Sequence, residues 1–371
     1  MRFIRLLRRR IGVDVTTIDP APISPGVRDQ LEGLGCRVIP GGINSIFRLL
    51  EQCVYAAVVC EFWTVAARVL VPVRSAQPWA RVIVDSVDVH FLREEAGVAF
   101  GAYNAADVAV RREQEVSSYR ASDGVVVVTR EDQEALEGVG GIRRTYIIPI
   151  IVTLRPRPSL PRQPELLFIG GFGHRPNVDG IVWFCREVFP LVQRECPAVR
   201  LNVIGGGAPD EVRALGGLGG VSLLGQVPDT SPYLDRAAVS VAPLRYGGGM
   251  KGKVTEALAA GIPVVTTSFG TQGLGAVSGE HLFQADTPED FAKAILRLLG
   301  DPELADSMGR AGRERVDRVC GEQTVLEQVA EMVGGFEPPP GGVASMLPRR
   351  LFQLRRLWKR VAGGVLRRLP G

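Results

Sequence analysis

Histidine is scarce in this chain of 371 residues, with only 3. None of them is spaced from another histidine or from a cysteine as zinc ligands are. The 6 cysteines include no Cys-x-x-Cys pair, which predicts reduced thiols, as in a cytosolic protein. We therefore expect no metal site, no disulfide and a cytoplasmic location.

A long uncharged apolar run is also missing. The most apolar stretch, 54–73, carries Glu61 and Arg68, which argues against a membrane span and predicts a buried strand followed by a buried helix. The start, MRFIRLLRRR, has too short an apolar part for a secretory signal.

Acidic residues are absent from the end of the chain. The formal net charge is +4, yet no acid and eight basic residues follow Glu337, so the rest of the chain is net acidic. Apolar residues recur at helical spacing between Arg349 and Arg368, which predicts an amphipathic helix on the inner face of a membrane, near a lipid-linked or envelope acceptor. The alternative is a helix packed on the first domain. Only Phe352 and Trp358 are aromatic there, so we expect no nucleic-acid partner.

Short apolar runs alternate with helical patterns, and this order is typical of parallel sheets with crossover helices. The length fits two α/β domains and an appendage. We predict a first Rossmann-like domain at 1–155, a proline-rich linker at 156–164, a second domain at 165–336 and the basic tail at 337–371. The predicted strands are 13–18, 36–39, 55–60, 81–85, 124–128, 145–149, 165–170, 200–205, 221–225, 239–243 and 263–267.

The first domain starts with an unusual order of elements. Phe3, Ile4, Leu6 and Leu7 have helical spacing, and the strand at 13–18 follows almost at once. A Rossmann-like domain instead begins with a central strand and a glycine turn. The alternative, that 1–7 is itself that strand, leaves no room for a crossover. We predict that the first strand is missing, through a late start or degradation of the domain.

The most informative segment is PLRYGGGMKGKVTEALAAGIPVV (243–265). Gly247–Gly249 lie between a strand end and a helix start, where backbone N–H groups and the helix dipole favour a phosphate. Lys251 and Lys253 add positive charge for a diphosphate. Glu256 shares a helix face with Lys253 and is placed to accept the hydroxyls of a ribose. The alternative is a glycine turn with solvated lysines.

This segment resembles the donor-binding domain of family 4 (group 1) glycosyltransferases, whose GT-B fold has two Rossmann-like domains with parallel sheets facing across a cleft. LLFIGGFGHRPNVDGIVWF and GQVPDTSPYL resemble further motifs of that domain. The resemblance implies that Gly171–Arg175 line the donor diphosphate, that Lys253, with Arg245 and Lys251, holds the leaving phosphate, and that Glu256 binds ribose. The implied donor-binding residues are Gly171, Phe172, Gly173, His174, Arg175, Arg245, Gly248, Gly249, Met250, Lys251, Lys253 and Glu256.

One position departs from the family pattern. Many relatives carry two glutamates with seven residues between them, the first of which touches the transferred sugar. Glu256 corresponds to the second, and Gly248 stands at the first, which leaves the donor sugar open.

The first-half segment VIVDSVDVHFLRE resembles the family's acceptor-domain loop. Asp85 ends a strand, and Asp88 and His90 follow, so we expect these catalytic candidates at the cleft. The alternative is that Asp88 caps the helix starting near His90.

The implied reaction moves a sugar from a nucleotide-diphosphate sugar to a glycan, lipid-linked or small-molecule acceptor. It proceeds with retention and without metal or other cofactor, in cell-envelope or exopolysaccharide synthesis. Two rivals stand beside it: a sugar-nucleotide 2-epimerase, which needs more acids and histidines in the cleft, and a catalytically silent nucleotide-sugar-binding or scaffold protein.

Overall fold

A computed structural model describes residues 1–154 and 163–336 with their side chains, and 350–354 as backbone. Most of the predicted linker and tail lies outside these residues. The chain divides into two compact units. Of the described residues, Met1–Ile151, 322–336 and Arg350–Leu354 form the first unit, and the second lies within Val152–Gly321. The last described helix, grouped with the second domain on sequence alone, thus lies in the first unit.

The strands of the described residues are short and parallel to their neighbours. In chain order they are β1 (Gly12–Thr16), β2 (Arg37–Val38), β3 (Ala57–Glu61), β4 (Arg81–Asp85), β5 (Gly124–Val127), β6 (Thr145–Ile147), β7 (Glu165–Ile169), β8 (Arg200–Ile204), β9 (Val221–Gly225), β10 (Val239–Ala242), β11 (Val264–Thr266), β12 (Phe283–Gln284) and β13 (Arg350–Leu354). All the strands predicted from the sequence are present, whereas β12 and β13 were not predicted.

The helices connect these strands. They are α1 (Arg2–Arg8), α2 (Pro25–Gly33), α3 (Ile43–Gln52), α4 (Trp63–Ala76), α5 (His90–Val98), α6 (Ala105–Ala121), α7 (Arg130–Val139), α8 (Arg175–Trp183), α9 (Phe189–Glu195), α10 (Asp210–Arg213), α11 (Ser231–Arg236), α12 (Gly252–Ala259), α13 (Pro288–Gly300), α14 (Pro302–Cys320) and α15 (Glu322–Gly334). A π-helical turn, Phe184–Val188, joins α8 to α9. In the part of the chain that the structure describes, no helix is long and apolar enough to cross a membrane.

The sheet of the first unit has the order β2-β1-β13-β3-β4-β5-β6. Successive residues of β3 pack on opposite faces: Val58 and Cys60 belong to one apolar cluster, and Ala57 and Val59 to another. Both faces are therefore covered, as expected for an all-parallel sheet. The run 54–73 forms the buried β3 and α4, as predicted.

The start of the chain is a helix and not a strand. Ile4, Leu6 and Leu7 of α1 are fully buried in a cluster with Val325 and Val329 of α15. The helical spacing of these residues was the correct signal, and the interpretation of 1–7 as a strand is wrong.

The chain end contains a strand where an amphipathic helix was predicted. Arg350–Leu354 lies between β1 and β3 and is parallel to both, with Leu351 opposite Val13 on one side and Ala57 on the other. Without it, the facing edges of β1 and β3 would each expose unpaired backbone groups, and pairing them outweighs local helical preference. The helix predicted over 349–368 is therefore wrong at 350–354, and 355–368 lie outside the described residues.

The sheet of the second unit has the order β12-β11-β10-β7-β8-β9. The central strand β7 pairs with β8 on one side and with β10 on the other. Gly180 allows α8 to lie against the end of β10, because a Cβ there would come within 2.3 Å of the Pro243 carbonyl oxygen. This contact places the first turns of α8 and α12 at the same sheet edge.

Candidate functional site

Two strand-turn-helix units meet at the carboxyl edge of the second sheet. β7 leads through Gly170–His174 into α8, and the adjacent β10 leads through 243–251 into α12. The N-termini of both helices therefore lie at one edge, where their unsatisfied N–H groups favour an anion. Ligands of open parallel sheets bind at this kind of edge.

Asn177 organises the turn after β7. Its side chain is buried, and its Nδ2 donates to the carbonyl oxygen of Gly171 at 2.7 Å. Phe172 points inward and stacks on Phe168, with ring centroids 6.2 Å apart. Gly171, Gly173, His174 and Arg175 are exposed on the outer side of the turn. The predicted diphosphate-binding turn therefore consists of an ordered base and an accessible rim.

Lys253 links this turn to the one before α12. Its Nζ donates to the Oδ1 of Asn177 and lies 5.2 Å from the centre of the Phe168 ring. Burial of the ammonium, and then the nearby Lys251, lower the pKa of Lys253 from 10.5 to about 7. A bound diphosphate would supply the negative charge that this site lacks and would raise that pKa again.

Lys251 shapes the glycine loop from inside. Its Nζ donates to the carbonyl oxygens of Gly248, at 2.9 Å, and Gly249, and to Oε1 of Gln272 at 3.0 Å. Gly249 has a φ of 64°, a conformation that costs glycine little. Met250 is buried, with its Sδ 3.4 Å from the Sγ of Cys320.

Glu256 and Arg245 differ in their surroundings. Glu256 lies one turn after Lys253 on α12 and is exposed, so its carboxylate is accessible to a ligand. Arg245 binds Asp179 of α8 through two hydrogen bonds, one of them Nε to Oδ2 at 2.9 Å. This ion pair raises the pKa of Arg245. Through this contact Arg245 joins the loop after β10 to α8.

In the first unit, Asp85 ends β4, and Asp88 and His90 follow in the loop and at the start of α5. The backbone N–H of Val87 donates to Oδ1 of Asp85 at 3.1 Å. Asp88 pairs with Arg93 and with Nε2 of His90, the latter at 3.2 Å. The Nε1–H of Trp63 donates to Nδ1 of His90 at 3.1 Å.

Asp88 does not cap α5. The N-cap residue is Val89, without a side-chain cap. Instead, Glu115 of α6 accepts hydrogen bonds from the backbone N–H groups of His90, at 2.8 Å, and Phe91, at 2.9 Å. The interpretation of Asp88 as the helix cap is wrong, because its carboxylate is bound to Arg93 and His90. Burial raises the pKa of Glu115, and the hydrogen bonds from Tyr119 and from the two N–H groups oppose that rise.

Sequence reasoning missed several residues that organise these sites. Asn177 stood inside a quoted motif without a role, and its place in the first turn of α8 beside a glycine turn was the available signal. Asp179, Trp63 and Glu115 act across elements distant in sequence, and no local pattern marks them. Within the described residues, no cluster of three or more histidine, cysteine or acidic side chains could hold a metal ion.

Comparison with known proteins connects this geometry to a family. Residues 163–301 match the family described as glycosyl transferases group 1. The matched residues lie within the second unit and include both turns and the Asn177–Lys253 contact.

Individual proteins resemble a larger part of the chain. A glycogen synthase of Mycobacterium tuberculosis is 28% identical over 231 residues, which cover 57% of this chain and 54% of that protein. Sucrose-phosphate synthase from Thermosynechococcus elongatus superposes with a TM-score of 0.66 at 20% identity and covers 90% of this chain and 91% of its own. HepE of Anabaena, in complex with UDP and glucose, superposes with a TM-score of 0.65 at 12% identity, and the match covers 88% of this chain and 100% of HepE.

These superpositions show the fold, which is GT-B. The chain spans about half the length, or less, of the first curated relatives that it matches.

Proposed function

We propose that this protein is a glycosyltransferase that moves a sugar from a nucleotide-diphosphate sugar to an acceptor. The contact between Lys253 and Asn177 carries the proposal, because it brings a lysine with a lowered pKa to the point where two helix N-termini meet. The group 1 match and the UDP complex of the similar HepE support a nucleotide-sugar donor. The resemblance adds retention of configuration and a reaction without metal.

Stabilisation of the leaving diphosphate is the main contribution of the second unit. Lys253 supplies positive charge at the base of the site, and the N–H groups at the start of α8 and α12 are oriented before the substrate arrives. Such preorganised donors favour the charge that develops as the sugar–phosphate bond breaks. Glu256 is placed to accept the ribose hydroxyls, and Gly171, Gly173, His174 and Arg175 form the rim over the diphosphate.

The acceptor side is assigned to the loop after β4. Asp85, Asp88 and His90 are the proposed residues at the reacting hydroxyl, and none is assigned as a nucleophile. The acceptor class we propose is a glycan, a lipid-linked sugar or a small molecule of cell-envelope or exopolysaccharide synthesis.

A panel of nucleotide sugars tests this function. Thermal shift identifies the nucleotide sugars that bind, and release of the free nucleotide identifies those that react. Lys253→Met should reduce both signals, whereas Lys293→Ala, which removes an exposed lysine of α13 in the same unit, should preserve them. Binding without any turnover, with or without sugar acceptors, would favour the silent binding protein.

The basic residues beyond β13 are proposed to hold the protein at an anionic membrane surface, because each basic residue near such a surface contributes about 1 kcal/mol. Replacing Arg355, Arg356, Lys359 and Arg360 with glutamine tests this contribution without removing β13. The parent should sediment with vesicles of anionic lipid at low salt, and the variant should not. Equal sedimentation of the two would reject the membrane contact.

A further inference from the structure

The first turn of α5 depends on a residue of another helix. Helix N-termini leave backbone N–H groups without partners inside the helix, and α5 has neither a side-chain cap nor an acidic residue in its first turn. Glu115, in the middle of α6, accepts from the N–H groups of both His90 and Phe91. The backbone of His90 is therefore held in place by one carboxylate, that of Glu115.

Glu115 suits this contact because its two carboxyl oxygens together can accept several hydrogen bonds. Its Oε1 also accepts from the hydroxyl of Tyr119, one turn along α6, at 2.6 Å. The residue is 1% exposed, so water cannot replace a lost partner. A glutamine would turn an N–H donor toward one of these donors and could not satisfy all of them.

The imidazole of His90 is held from two sides. Because the indole N–H of Trp63 donates to Nδ1, the ring carries its proton on Nε2, which faces Oδ1 of Asp88 at 3.2 Å. The ring of Phe62 lies 5.5 Å from that of His90. Trp63 thus determines the tautomer of the imidazole, and Glu115 fixes the backbone from which the side chain of His90 extends.

Backbone strain is concentrated around the same histidine. Within 1–154 and 163–336, the non-glycine residues with positive φ are Phe62, at 74°, and Val87, at 62°. Phe62 directly follows β3, and Val87 lies two residues after the end of β4. The backbone N–H of Phe62 donates to the carbonyl oxygen of Asp85 at 2.8 Å. Such conformations persist where the surroundings impose them, and they are frequent at functional sites.

We propose that Glu115 is a positioning residue that, through the backbone of His90 and together with Trp63, presents His90 as a neutral Nε2–H donor to Asp88 in the transfer reaction. The catalytic consequence of this proposal rests on the proposed function. The geometry of His90 does not depend on that function and can be measured separately.

The first test is structural and needs no substrate. In protein labelled with ¹⁵N-histidine, long-range ¹H–¹⁵N spectra distinguish the imidazole tautomers, and only 3 histidines are present. We expect the Nε2–H form for His90 in the parent, a mixed population in Trp63→Phe, and a displaced His90 signal in Glu115→Gln with His174 and His281 unchanged. An unchanged His90 signal in Glu115→Gln would overturn the proposal.

The second test measures catalysis against a matched control. Asp123→Asn alters another carboxylate with a side chain only 4% exposed, which accepts the N–H of Val82 at the opposite end of the sheet. We expect Glu115→Gln to lower kcat for sugar transfer at least tenfold with an unchanged Kd for UDP, and Asp123→Asn to preserve kcat. Equal kcat losses in the two variants would show a merely structural role.

Tyr119→Phe covers the case in which Glu115→Gln does not fold. It removes one hydrogen bond from the carboxylate and should displace the His90 signal in the same direction but by less, and an unmoved signal would count against the proposal. If the parent transfers no sugar, the proposed function fails, and the His90 spectra alone decide the placement.

Discussion

The two sheets share one topology but obtain their central strands differently. In the second unit, β7 is the first strand of its domain, and the glycine turn and α8 follow it directly. In the first unit, the corresponding place between β1 and β3 is taken by β13, from the far end of the chain. In a doubly wound sheet the first strand lies at the centre, and this place is filled by β7 in the second unit and by β13 in the first.

This difference separates the chemistry of the two units. A central strand that leads into a glycine turn and a helix creates an anion site, and among the described residues the second unit contains that arrangement. The first unit instead places its polar residues after β4, where Asp88 and His90 are held by Arg93, Trp63 and Glu115. The proposed donor site joins Lys253 to Asn177, and the histidine site joins His90 to Trp63 and Glu115, so both sites depend on contacts between elements that are distant in sequence.

Disrupting β13 should have the largest effect on stability, and it should destabilise the first unit only. Leu351→Pro with Gln353→Pro removes two ladder N–H groups, and their unpaired partners should cost about 2–6 kcal/mol of the free energy of unfolding of the first unit. Hydrogen exchange should rise in β1 and β3 and remain unchanged in β7 and β10. Leu351→Val with Gln353→Thr keeps both donors and serves as the control. Unchanged exchange in β1 and β3 would contradict the pairing.

Breaking the Lys253 contact should affect the second unit alone. Lys253→Met should weaken UDP binding by about 1.5–3 kcal/mol, the range for hydrogen bonds to charged groups, as measured by calorimetry. Lys293→Ala is the control. The spectrum of His90 should be the same in both variants, and parental affinity in Lys253→Met would refute the placement of the diphosphate.

Removing Glu256 should have an effect of similar or smaller size. We expect Glu256→Ala to weaken binding of a nucleotide sugar by about 1–3 kcal/mol, with less effect on a ligand that lacks the ribose hydroxyls. A 2′-deoxy nucleotide is the matched ligand. Equal losses for both ligands would place Glu256 elsewhere than at the ribose.

The effect that is smallest per step of the experiment is a dependence of stability on pH. Because the pKa of Lys253 is lowered to about 7, the unfolded chain binds the proton more tightly than the folded chain does between pH 7 and the ordinary lysine pKa. The contribution of Lys253 should therefore make the second unit more stable as pH rises through this window, by at most about 1.4 kcal/mol per pH unit. Urea unfolding of the parent and of Lys253→Met at several pH values measures the difference, which should disappear in the variant.

The sequence by itself determined the α/β class, the strands of both sheets except β12 and β13, and the helical start of the chain. These features follow from local apolar patterns, and the triple glycine with its two lysines is a local signal as well. The sequence was also sufficient to predict which strand ends carry polar residues. The carboxyl ends of parallel strands lie at one edge of the sheet, so these residues were expected there.

Tertiary structure decided the remainder. Arg350–Leu354 contains apolar residues that fit a helix or a strand, and only the open edges of β1 and β3 select the strand. The side chain of Arg245 turns to Asp179 because α8 lies beside it, and Lys253 meets Asn177 for the same reason. Glu115 is an ordinary helical glutamate in sequence, and it becomes the cap of α5 because α6 packs where α5 begins with no cap of its own.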